Sequence, residues 1–522
     1  MTRADGVPYL QQPGSEAIRK AGRTSVYRLF REQALRNPER WAIESDQRRL
    51  TYGALLDRVD RLADALTVKG IQHGQRIAVL SENRHEYVEV QLAAARIGAI
   101  VACQNWRLTD SELQHCIDLV SPSLLIFSTR QSGVVDRLEL KDMPRLEFGD
   151  RYEEAIDSGV AGRAFDDVDP ESGLIMLYTS GTTGPAKAAL ISQRALMARM
   201  SVFRFDLGAD PEDAYLAWSP MFHMGGTEHG LSTLMMGGLV IVMDGFKVDA
   251  MAEIVGRHRL SWLLLVPATV EPLIEAVKRL GVTPKGVKVV GCMADLLPKA
   301  TIVELTTVMR APFFNTFGST ETGLPPASGH LIAPGIHPDN LSKRMSSLCS
   351  MRIVDANDAD VPVGVVGQAL VKGPTLFSGY WGAPEINERD FTDGWFRMGD
   401  LFRKNADGSV DFAGRAKYLI KSGGENIYPA EIESVLLSDP RIADAVVVRK
   451  PDPKWGEVPV AVLARAAPDL LQSDVEQLCK RELAGYKRPK EIRFVNFDEL
   501  PRSSTGKILR EDVEKWLLQQ DT

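Results

Sequence analysis

The chain has 522 residues, of which 44% are hydrophobic and 25% are charged, a balance typical of a globular protein with a large core. Its formal net charge of -7 argues against nucleic acid as the main partner, because phosphate backbones recruit basic surfaces. The first 24 residues lack an apolar core and are interpreted as a leader, not as a signal peptide.

Membrane spans, disulfides and zinc sites are not indicated either. The longest nearly apolar run, residues 231–243, is too short and too rich in glycine to span a bilayer, so we predict a cytoplasmic protein. The five cysteines are an odd number, lie far apart and form no CxxC pair. We expect reduced, buried thiols at Cys103, Cys116, Cys292, Cys349 and Cys479.

The first part of the chain predicts alternating helices and strands. Apolar residues recur every three or four positions in VYRLFREQALRNP and in LTYGALLDRVDRLADALTVKG, which predicts two helices between Ser25 and about Gly70. WAIESDQRRLTY between them predicts a pair of short strands. QRIAVLSEN, HEYVEVQLAAARIG and AIVACQN then predict the strand, helix and strand of a parallel sheet, and LLIFS and LEFGD add short strands.

Residues 178–190, YTSGTTGPAKAAL, predict a loop that can hold phosphate. Glycines let backbone N–H groups face an anion, hydroxyls add donors and a lysine adds charge. The residues concerned are Thr179, Ser180, Gly181, Thr182, Thr183, Gly184 and Lys187. Lys187 is followed by alanine, so the Walker pattern is absent, and a solvated turn between two strands is the alternative.

A candidate pocket residue follows in MFHMGGTEHGLSTLMMGG, after a predicted helix and strand. His223 could close one wall of a pocket, where Gly225 and Gly226 leave space beside it. A histidine that is hydrogen-bonded in the core is the alternative. His229 is expected to be structural, because a spacing of six residues gives the two histidines no shared metal-binding face.

Two later segments each join a strand to a turn. VKVVGCMADLLP predicts a strand that ends at Gly291, and strand ends are where open α/β sheets bind ligands. PFFNTFGSTETG predicts a strand, FFNTF, that delivers Phe317 for stacking on a base, Gly318 for a tight turn and Thr320 as a donor. Glu321 would offer Mg²⁺ a hard oxygen ligand, although an exposed turn residue is the alternative.

The remaining chain predicts a β-rich unit and a small α+β domain. Short strands with Gly or Pro turns over residues 351–413 indicate a distorted barrel. Asp400, expected after a strand, could accept ribose hydroxyls and pair with Arg415. A hairpin, a helix begun by Pro429 and a strand, strand, helix, strand pattern follow. Lys507 lies on a polar loop, where it could neutralise charge during attack on a phosphate or simply be exposed.

Five motifs in this order resemble those of the adenylate-forming superfamily, which includes acyl-CoA synthetases, firefly luciferase and peptide-synthetase adenylation domains. They are YTSGTTGPAK, the PxFHxxG segment, FGSTE, GWFRMGDL and PRSSTGK. The resemblance implies an α/β fold with a large N-terminal domain of stacked α/β layers over residues 25–415, including a β-barrel-like subdomain at about 350–413. A small mobile α+β C-terminal domain would cover residues 416–522, with its hinge at Lys417.

The resemblance also implies the role of each site residue. An acid pocket would be lined by Phe222, His223, Met224, Gly225, Cys292, Met293 and Gly318. The nucleotide would be held by the phosphate loop, by Asp400 and Arg415, and by Gly291, Cys292, Met293, Ala294, Asn315, Thr316, Phe317, Gly318 and Thr320, with Asn315 bonding the adenine amino group. Mg²⁺ would be bound by Glu321 and Thr182. CoA would contact Gly423, Gly424, Trp455, Tyr486, Arg488 and Lys490, the last four forming a solvated basic loop in the alternative reading.

Three departures from the family pattern bear on substrate choice and nucleotide binding. Phe317 replaces the usual tyrosine, which preserves stacking but removes a hydroxyl. Met398 replaces the usual threonine near Asp400 and removes a minor contact. Cys292 and Met293 are bulkier than the small residues frequent there, which indicates a narrowed acid pocket.

The expected function is an ATP-dependent acid:CoA ligase that forms an acyl-adenylate and passes the acyl group to CoA. His223, Glu321 and Lys507 are the expected catalytic residues, and a compact aromatic, cyclic or short to medium acid is the expected substrate. The alternatives are an adenylating enzyme that loads a separate carrier protein, a ligase of longer fatty acids, and an inactive nucleotide-binding protein. A homodimer is compatible with the sequence.

Overall fold

The computed structural model describes residues 15–165, 167–179, 186–422, 425–503 and 506–520. The chain forms two compact units. The first consists of Met1–Arg204, Asp210–Gly245 and Pro374–Pro384, and the second of Phe205–Ala209, Phe246–Gly373 and Glu385–Thr522.

The elements of the first half of the chain are, in order, α1 Ser15–Ala21, α2 Val26–Arg36, β1 Trp41–Ser45, β2 Arg49–Thr51, α3 Tyr52–Val68, β3 Arg76–Leu80, α4 His85–Ile97, β4 Ile100–Gln104, α5 Asp110–Val120, β5 Leu124–Phe127, α6 Ser132–Val135, β6 Arg145–Glu147, α7 Asp150–Ser158, β7 Gly173–Thr179, β8 Lys187–Ser192, α8 Gln193–Leu207, β9 Ala214–Ala217, α9 Met224–Met236 and β10 Leu239–Val242.

The elements that follow are α10 Val248–Arg257, β11 Leu260–Leu264, α11 Pro267–Arg279, β12 Val287–Gly291, α12 Lys299–Met309, β13 Phe313–Asn315, β14 Gly318–Ser319, β15 Gly323–Pro326, β16 His330–Ile332, β17 Ser350–Val354, β18 Val366–Lys372, α13 Pro384–Asp390, β19 Phe391–Thr392, β20 Trp395–Lys404, β21 Val410–Arg415, β22 Ile420–Ser422, β23 Glu425–Ile427, α14 Pro429–Leu436, β24 Ile442–Asp452, β25 Gly456–Arg465, α15 Gln472–Glu482, β26 Glu491–Val495 and α16 Arg510–Gln520.

The first unit is built on parallel strands, as the alternating pattern predicts. One sheet has the order β6-β5-β3-β4-β7-β8, with all neighbours parallel except the antiparallel pair β7 and β8. A second set of strands runs β9-β10-β1-β2, and the predicted hairpin is the antiparallel pair β1 and β2. Helix α2 begins where the side chain of Ser25 accepts a hydrogen bond from the N–H of Arg28 at 3.1 Å, a normal N-cap.

The described part of the second unit contains four groups of strands, the smallest of which is the antiparallel pair β14 and β15. Strands β11, β12 and β13 are parallel neighbours, and β16 joins β13 antiparallel. The predicted β-rich unit is a five-stranded antiparallel sheet, β17-β18-β20-β19 with β21 on β20. The last sheet has the order β23-β22-β25-β24 with β26 parallel to β25, and its apolar faces are covered by α14, α15 and α16.

Several local predictions differ from the structure. Ser15–Ala21 forms a helix within the segment interpreted as a leader. The strand predicted as FFNTF ends at Asn315, so Phe317 lies beyond it. Asp400 lies inside strand β20 and does not follow a strand, because that strand continues through the GDL motif to Lys404.

All five cysteines are free thiols, and four are buried while Cys349 is partly exposed. A helix long and apolar enough to cross a membrane does not occur in the described part of the chain.

Candidate functional site

The segment that leads to His223 is held by one buried side chain, Asn83, at the end of the strand β3 region. Its amide nitrogen lies 2.8–3.2 Å from the carbonyl oxygens of Ala217, Trp218, Ser219 and Met243. Its carbonyl oxygen accepts the N–H of Met221 at 2.8 Å. The turn between β9 and α9 is therefore fixed by a residue that lies 138 positions before Met221 in the sequence.

Helix α9 begins directly after His223, and its first turn is anchored by three further hydrogen bonds. The Tyr215 hydroxyl donates to the carbonyl of Gly225 at 2.5 Å. Thr227 Oγ1 donates to the Met221 carbonyl at 2.6 Å and accepts from Gln91 at 2.8 Å. At Gly226 a Cβ would lie 2.4 Å from the carbonyl oxygen of Pro220, so the backbone approach requires glycine.

His223 is a neutral imidazole in this environment. Burial, with a smaller contribution from Arg107, lowers its pKa to about 4, and its ring packs 4.6 Å from that of Phe222. Its Nε2 atom has no hydrogen-bond partner among the described residues. A cavity of about 220 Å³ lies beside this turn, with walls that include Trp106, Arg107 and Trp218. The residues that line this cavity do not include His223, which is an uncharged imidazole at neutral pH.

His229 has the structural role expected from the sequence. Its ring is buried between those of Phe203 and Tyr215, with centroid distances of 5.2 and 5.5 Å. Burial lowers its pKa to about 3. The adjacent residue, Glu228, forms a fully buried ion pair with Arg199, whose Nε donates to the Thr375 carbonyl at 2.9 Å. Sequence reasoning missed this pair, since an acid and a base that are 29 residues apart give no local signal.

The ends of the predicted phosphate loop are described, but its centre is not. Thr179 ends β7 and pairs in register with Lys187 at the start of β8. The Lys187 ammonium lies 4.1 Å from the centre of the Tyr380 ring, a cation–π contact. The predictions for Ser180, Gly181, Thr182, Thr183 and Gly184 lie outside the described residues, as do those for Gly423 and Gly424.

In the second unit, the structure brings together three side chains that the sequence singled out separately. Asp400 is 1% exposed, and its Oδ1 lies 2.8 Å from Nε of Arg415, the neighbour expected from their chemistry. Burial raises the pKa of Asp400 to about 6; nearby Arg415 and Lys507 oppose the rise, and Glu321 adds to it. Glu321 and Lys507 therefore both lie within electrostatic reach of Asp400.

Lys507 keeps part of its surface exposed, yet it sits among other cations. Loss of surrounding water, followed by the charges of Arg415, Arg510 and Lys417, lowers its pKa, and Asp400 acts in the opposite direction. Its backbone is hydrogen-bonded, since the Ser503 N–H donates to the Lys507 carbonyl at 2.8 Å. A lysine that is surrounded by positive charge favours an anionic ligand.

An unpredicted buried lysine, Lys343, contacts one residue of the expected adenine-binding site. Gly291 ends β12 with φ +147°, and a Cβ there would lie 2.8 Å from the Phe314 carbonyl. The next turn is joined to β13, because the N–H of Thr316 donates to the Cys292 carbonyl at 3.2 Å. Asn315 is fully buried, and its amide is hydrogen-bonded to Lys343, which is also fully buried.

Phe317 is packed into the protein in this structure. It is 7% exposed, and its ring centre lies 4.8 Å from that of Phe402 and 4.9 Å from that of Phe412. Gly318 follows in a close approach, where a Cβ would meet the Gly323 carbonyl at 2.0 Å. The turn that carries Thr320 and Glu321 therefore starts from an aromatic cluster and needs glycine at its base.

The predicted hinge and CoA-contact residues lie in the last part of the chain. Lys417 forms an ion pair with Glu511 at 2.7 Å. Trp455 and Tyr486 are 43% and 42% exposed, which leaves their rings open to a ligand. Arg488 donates to the carbonyl of Leu483 at 3.0 Å and to that of Lys480 at 3.1 Å, so its guanidinium caps the end of α15. Lys490 lies directly before β26.

The family assignment comes from comparison with known proteins. Residues 30–381 match the model of the AMP-binding enzyme family, and residues 431–507 match the model of the AMP-binding enzyme C-terminal domain. The chain belongs to the AMP-binding enzyme family.

Similar proteins span almost the whole chain. An indoleacetate–CoA ligase of Aromatoleum aromaticum is 35% identical over 92% of this chain and 95% of its own. A 2-succinylbenzoate–CoA ligase of Bacillus cereus is 29% identical over 93% of this chain and 97% of its own. The solved o-succinylbenzoate CoA synthetase of Bacillus subtilis, in complex with ATP and magnesium ion, has a TM-score of 0.81 at 25% identity and covers 93% of this chain and 99% of its own. These relatives confirm the prediction of an adenylate-forming ligase of the acyl-CoA synthetase branch.

Proposed function

We propose that this enzyme activates a compact aromatic carboxylic acid with ATP and transfers the acyl group to CoA, with release of pyrophosphate and AMP. The carboxylate of the acid attacks the α-phosphorus, the bond from that phosphorus to the bridging oxygen breaks, and pyrophosphate leaves. The CoA sulfur then attacks the acyl carbon and displaces AMP, while the thiol proton is lost to solvent.

The observation that carries this proposal is the grouping of Asp400, Glu321 and Lys507 in one unit. Asp400 can accept the ribose hydroxyls, and Arg415 holds its carboxylate in the ionised form. Lys507 can donate to the oxygens that gain charge as the carboxylate attacks, an effect worth roughly 10²–10³ in rate for a single preorganised donor in other enzymes. Glu321, Asp400 and Lys507 are far apart in sequence, yet the charges of Glu321 and Lys507 both act on Asp400.

The donor chemistry at Glu321 fits a magnesium ion shared with phosphate. A carboxylate oxygen is the hard ligand that Mg²⁺ prefers, and the ion usually completes its shell with phosphate oxygens and water. When bound, Mg²⁺ would neutralise charge on the phosphates. Thr182, the second proposed ligand, lies outside the described residues. Among the described residues, no group of three His, Cys, Asp or Glu side chains could hold a metal ion.

His223 is proposed to form a wall of the acid pocket, with Phe222 behind it. Its lowered pKa makes it a neutral aromatic surface instead of a cation, which suits contact with a planar ring. The curated relatives, named for indoleacetate and 2-succinylbenzoate, support an aromatic acid.

CoA is the proposed thiol, and Trp455 and Tyr486 are its proposed contacts. Their exposed rings can stack on adenine, while Lys454 lies 4.8 Å above the ring of Trp455 and Lys487 lies 5.7 Å from that of Tyr486. Arg488 is less available, since it caps α15. Lys490 supplies the remaining proposed cation. Lys417, the proposed hinge, forms an ion pair with Glu511.

The test is a panel of acids assayed for AMP release with and without CoA. We expect CoA-dependent AMP release with indole-3-acetate or 2-succinylbenzoate that is faster than with palmitate. Faster turnover with palmitate would overturn the aromatic assignment. Acid-dependent pyrophosphate exchange without thioester formation from free CoA would instead indicate a carrier protein as the acceptor, and the absence of any exchange would indicate a nucleotide-binding protein without ligase activity.

A further inference from the structure

Lys343 is a fully buried lysine beside the proposed adenine site. Its ammonium contacts Oδ2 of Asp295 and lies 2.7 Å from Oδ1 of Asn315. Its backbone is fixed as well, because its N–H and carbonyl pair with those of Val410 at 2.8 and 2.9 Å. A buried ammonium is retained only where hydrogen-bonded, charged partners compensate for the lost water. The Lys343 ammonium therefore contacts the side chains of both Asp295 and Asn315.

The hydrogen bonds of Asn315 leave its amide little capacity for a ligand. Oδ1 accepts from Lys343 and also from the N–H of Ala294 at 3.2 Å, and Nδ2 donates to the Leu341 carbonyl at 2.9 Å. A carbonyl oxygen has two lone pairs, and both are in use. Asn315 is also 0% exposed. An adenine amino group could bond to Oδ1 only by displacing a donor that is already in place.

Asp295, unlike Asn315, is partly exposed and has acceptor positions left for a ligand. Its side chain is 25% exposed, and it lies four residues beyond the end of β12, directly after the segment proposed to contact adenine. Lys343 contacts one of its two oxygens, and a carboxylate offers roughly four acceptor positions in total. A partly exposed, fixed carboxylate is an acceptor suited to an amino group.

We infer that Asp295 binds the exocyclic amino group of adenine and that Lys343 positions its carboxylate. The inference rests on the proposed function, since it concerns the same ATP site. Adenine offers two N–H donors at this edge, whereas guanine presents a carbonyl oxygen there, which a carboxylate repels. Asp295, held by Lys343, would therefore select ATP over GTP and over a purine nucleotide that lacks the amino group.

The first test uses the wild-type chain and calorimetric titration without acid. ATP is compared with purine riboside triphosphate, which lacks only the amino group. Loss of a hydrogen bond to a charged acceptor predicts binding that is about ten to a hundredfold weaker. Equal affinities for the two nucleotides would overturn the inference.

The second test uses variants. Asp295→Ala alone would leave a buried ammonium unpaired, so it is combined with Lys343→Met. We expect this double variant to bind ATP and the analogue with affinities within about threefold of each other, through loss of ATP affinity alone. Asn315→Ala should retain most of the wild-type preference. Glu304→Ala combined with Lys278→Met, which removes an exposed ion pair of the same unit at 2.5 Å, is the matched control.

The outcomes separate this inference from the proposed function. The inference would be overturned if the double variant Asp295→Ala with Lys343→Met kept the full preference for ATP, or if Asn315→Ala alone lost that preference. Either result would mean that another group accepts the adenine amino group. Acid-dependent pyrophosphate exchange in the wild type would still support the ligase. Absence of exchange in a wild type that binds ATP selectively would contradict the ligase and leave adenine selection by Asp295 supported.

Discussion

Replacing Asn83 by alanine tests whether one amide organises the turn before His223. The side chain contacts four carbonyl oxygens and one N–H, but its two amide hydrogens and one carbonyl oxygen supply at most three full-strength bonds. At about 1 kcal/mol net for each bond, the turn should lose about 3 kcal/mol of stability. Asn83 is 7% exposed, so water does not readily replace these bonds.

Hydrogen exchange followed by mass spectrometry measures this loss locally. The Met221 N–H donates directly to Asn83, so in Asn83→Ala its exchange should accelerate by roughly a hundredfold. Turnover should fall in parallel, with KM for the acid rising more than KM for ATP, because the turn carries the proposed acid-pocket wall. Asn357→Ala, at an exposed asparagine, is the control. Acceleration of Met221 exchange by less than about fivefold would refute the reasoning.

Three further predictions concern charged groups. The pKa of Asp400 is raised to about 6, so this carboxylate becomes protonated as the pH falls through that value. KM for ATP, measured from initial rates, should therefore rise toward tenfold per pH unit below about pH 6. In Asp400→Asn, KM for ATP should not change over the same pH range. Tyr380→Leu removes the aromatic ring that contacts the Lys187 ammonium, an interaction worth about 0.5–1 kcal/mol, and should raise KM for ATP about threefold. Tyr380→Phe keeps the ring and should leave KM for ATP unchanged. An equal rise in KM for both variants would show that the ring contact does not matter. Glu228→Gln leaves the buried Arg199 without its carboxylate partner and should lower the free energy of unfolding, measured with urea, by about 3–5 kcal/mol. The double variant Glu228→Gln with Arg199→Met should recover at least half of that loss.

Features with a local physical cause could be predicted from the sequence. The helices from α2 to α4 follow from apolar spacing and caps, and α14 begins at Pro429 as expected. Asp400 and Arg415 could be paired in advance because their chemistry is complementary, and the structure brings them together through the register of β20 and β21. The β-rich and C-terminal sheets were recognisable from turn residues between short strands.

Features that depend on distant partners could not be predicted. Asn83 looked like the end of a strand, and its role appears only where β3 and the turn after β9 meet. Lys343 lies in a polar stretch that predicts exposure, yet it is fully buried because Asp295 and Asn315 compensate its charge. The sequence predicts Phe317 on the strand FFNTF, but the strand ends at Asn315.

The most direct test of the account is the half-reaction kinetics of Lys507→Ala, because the account requires this cation for adenylation alone. Acid-dependent ATP–pyrophosphate exchange should fall by at least about a hundredfold, with ATP affinity changed by less than about fivefold. Thioester formation from supplied acyl-adenylate and CoA should stay close to wild type. Pyrophosphate exchange within about threefold of the wild-type rate would contradict the account.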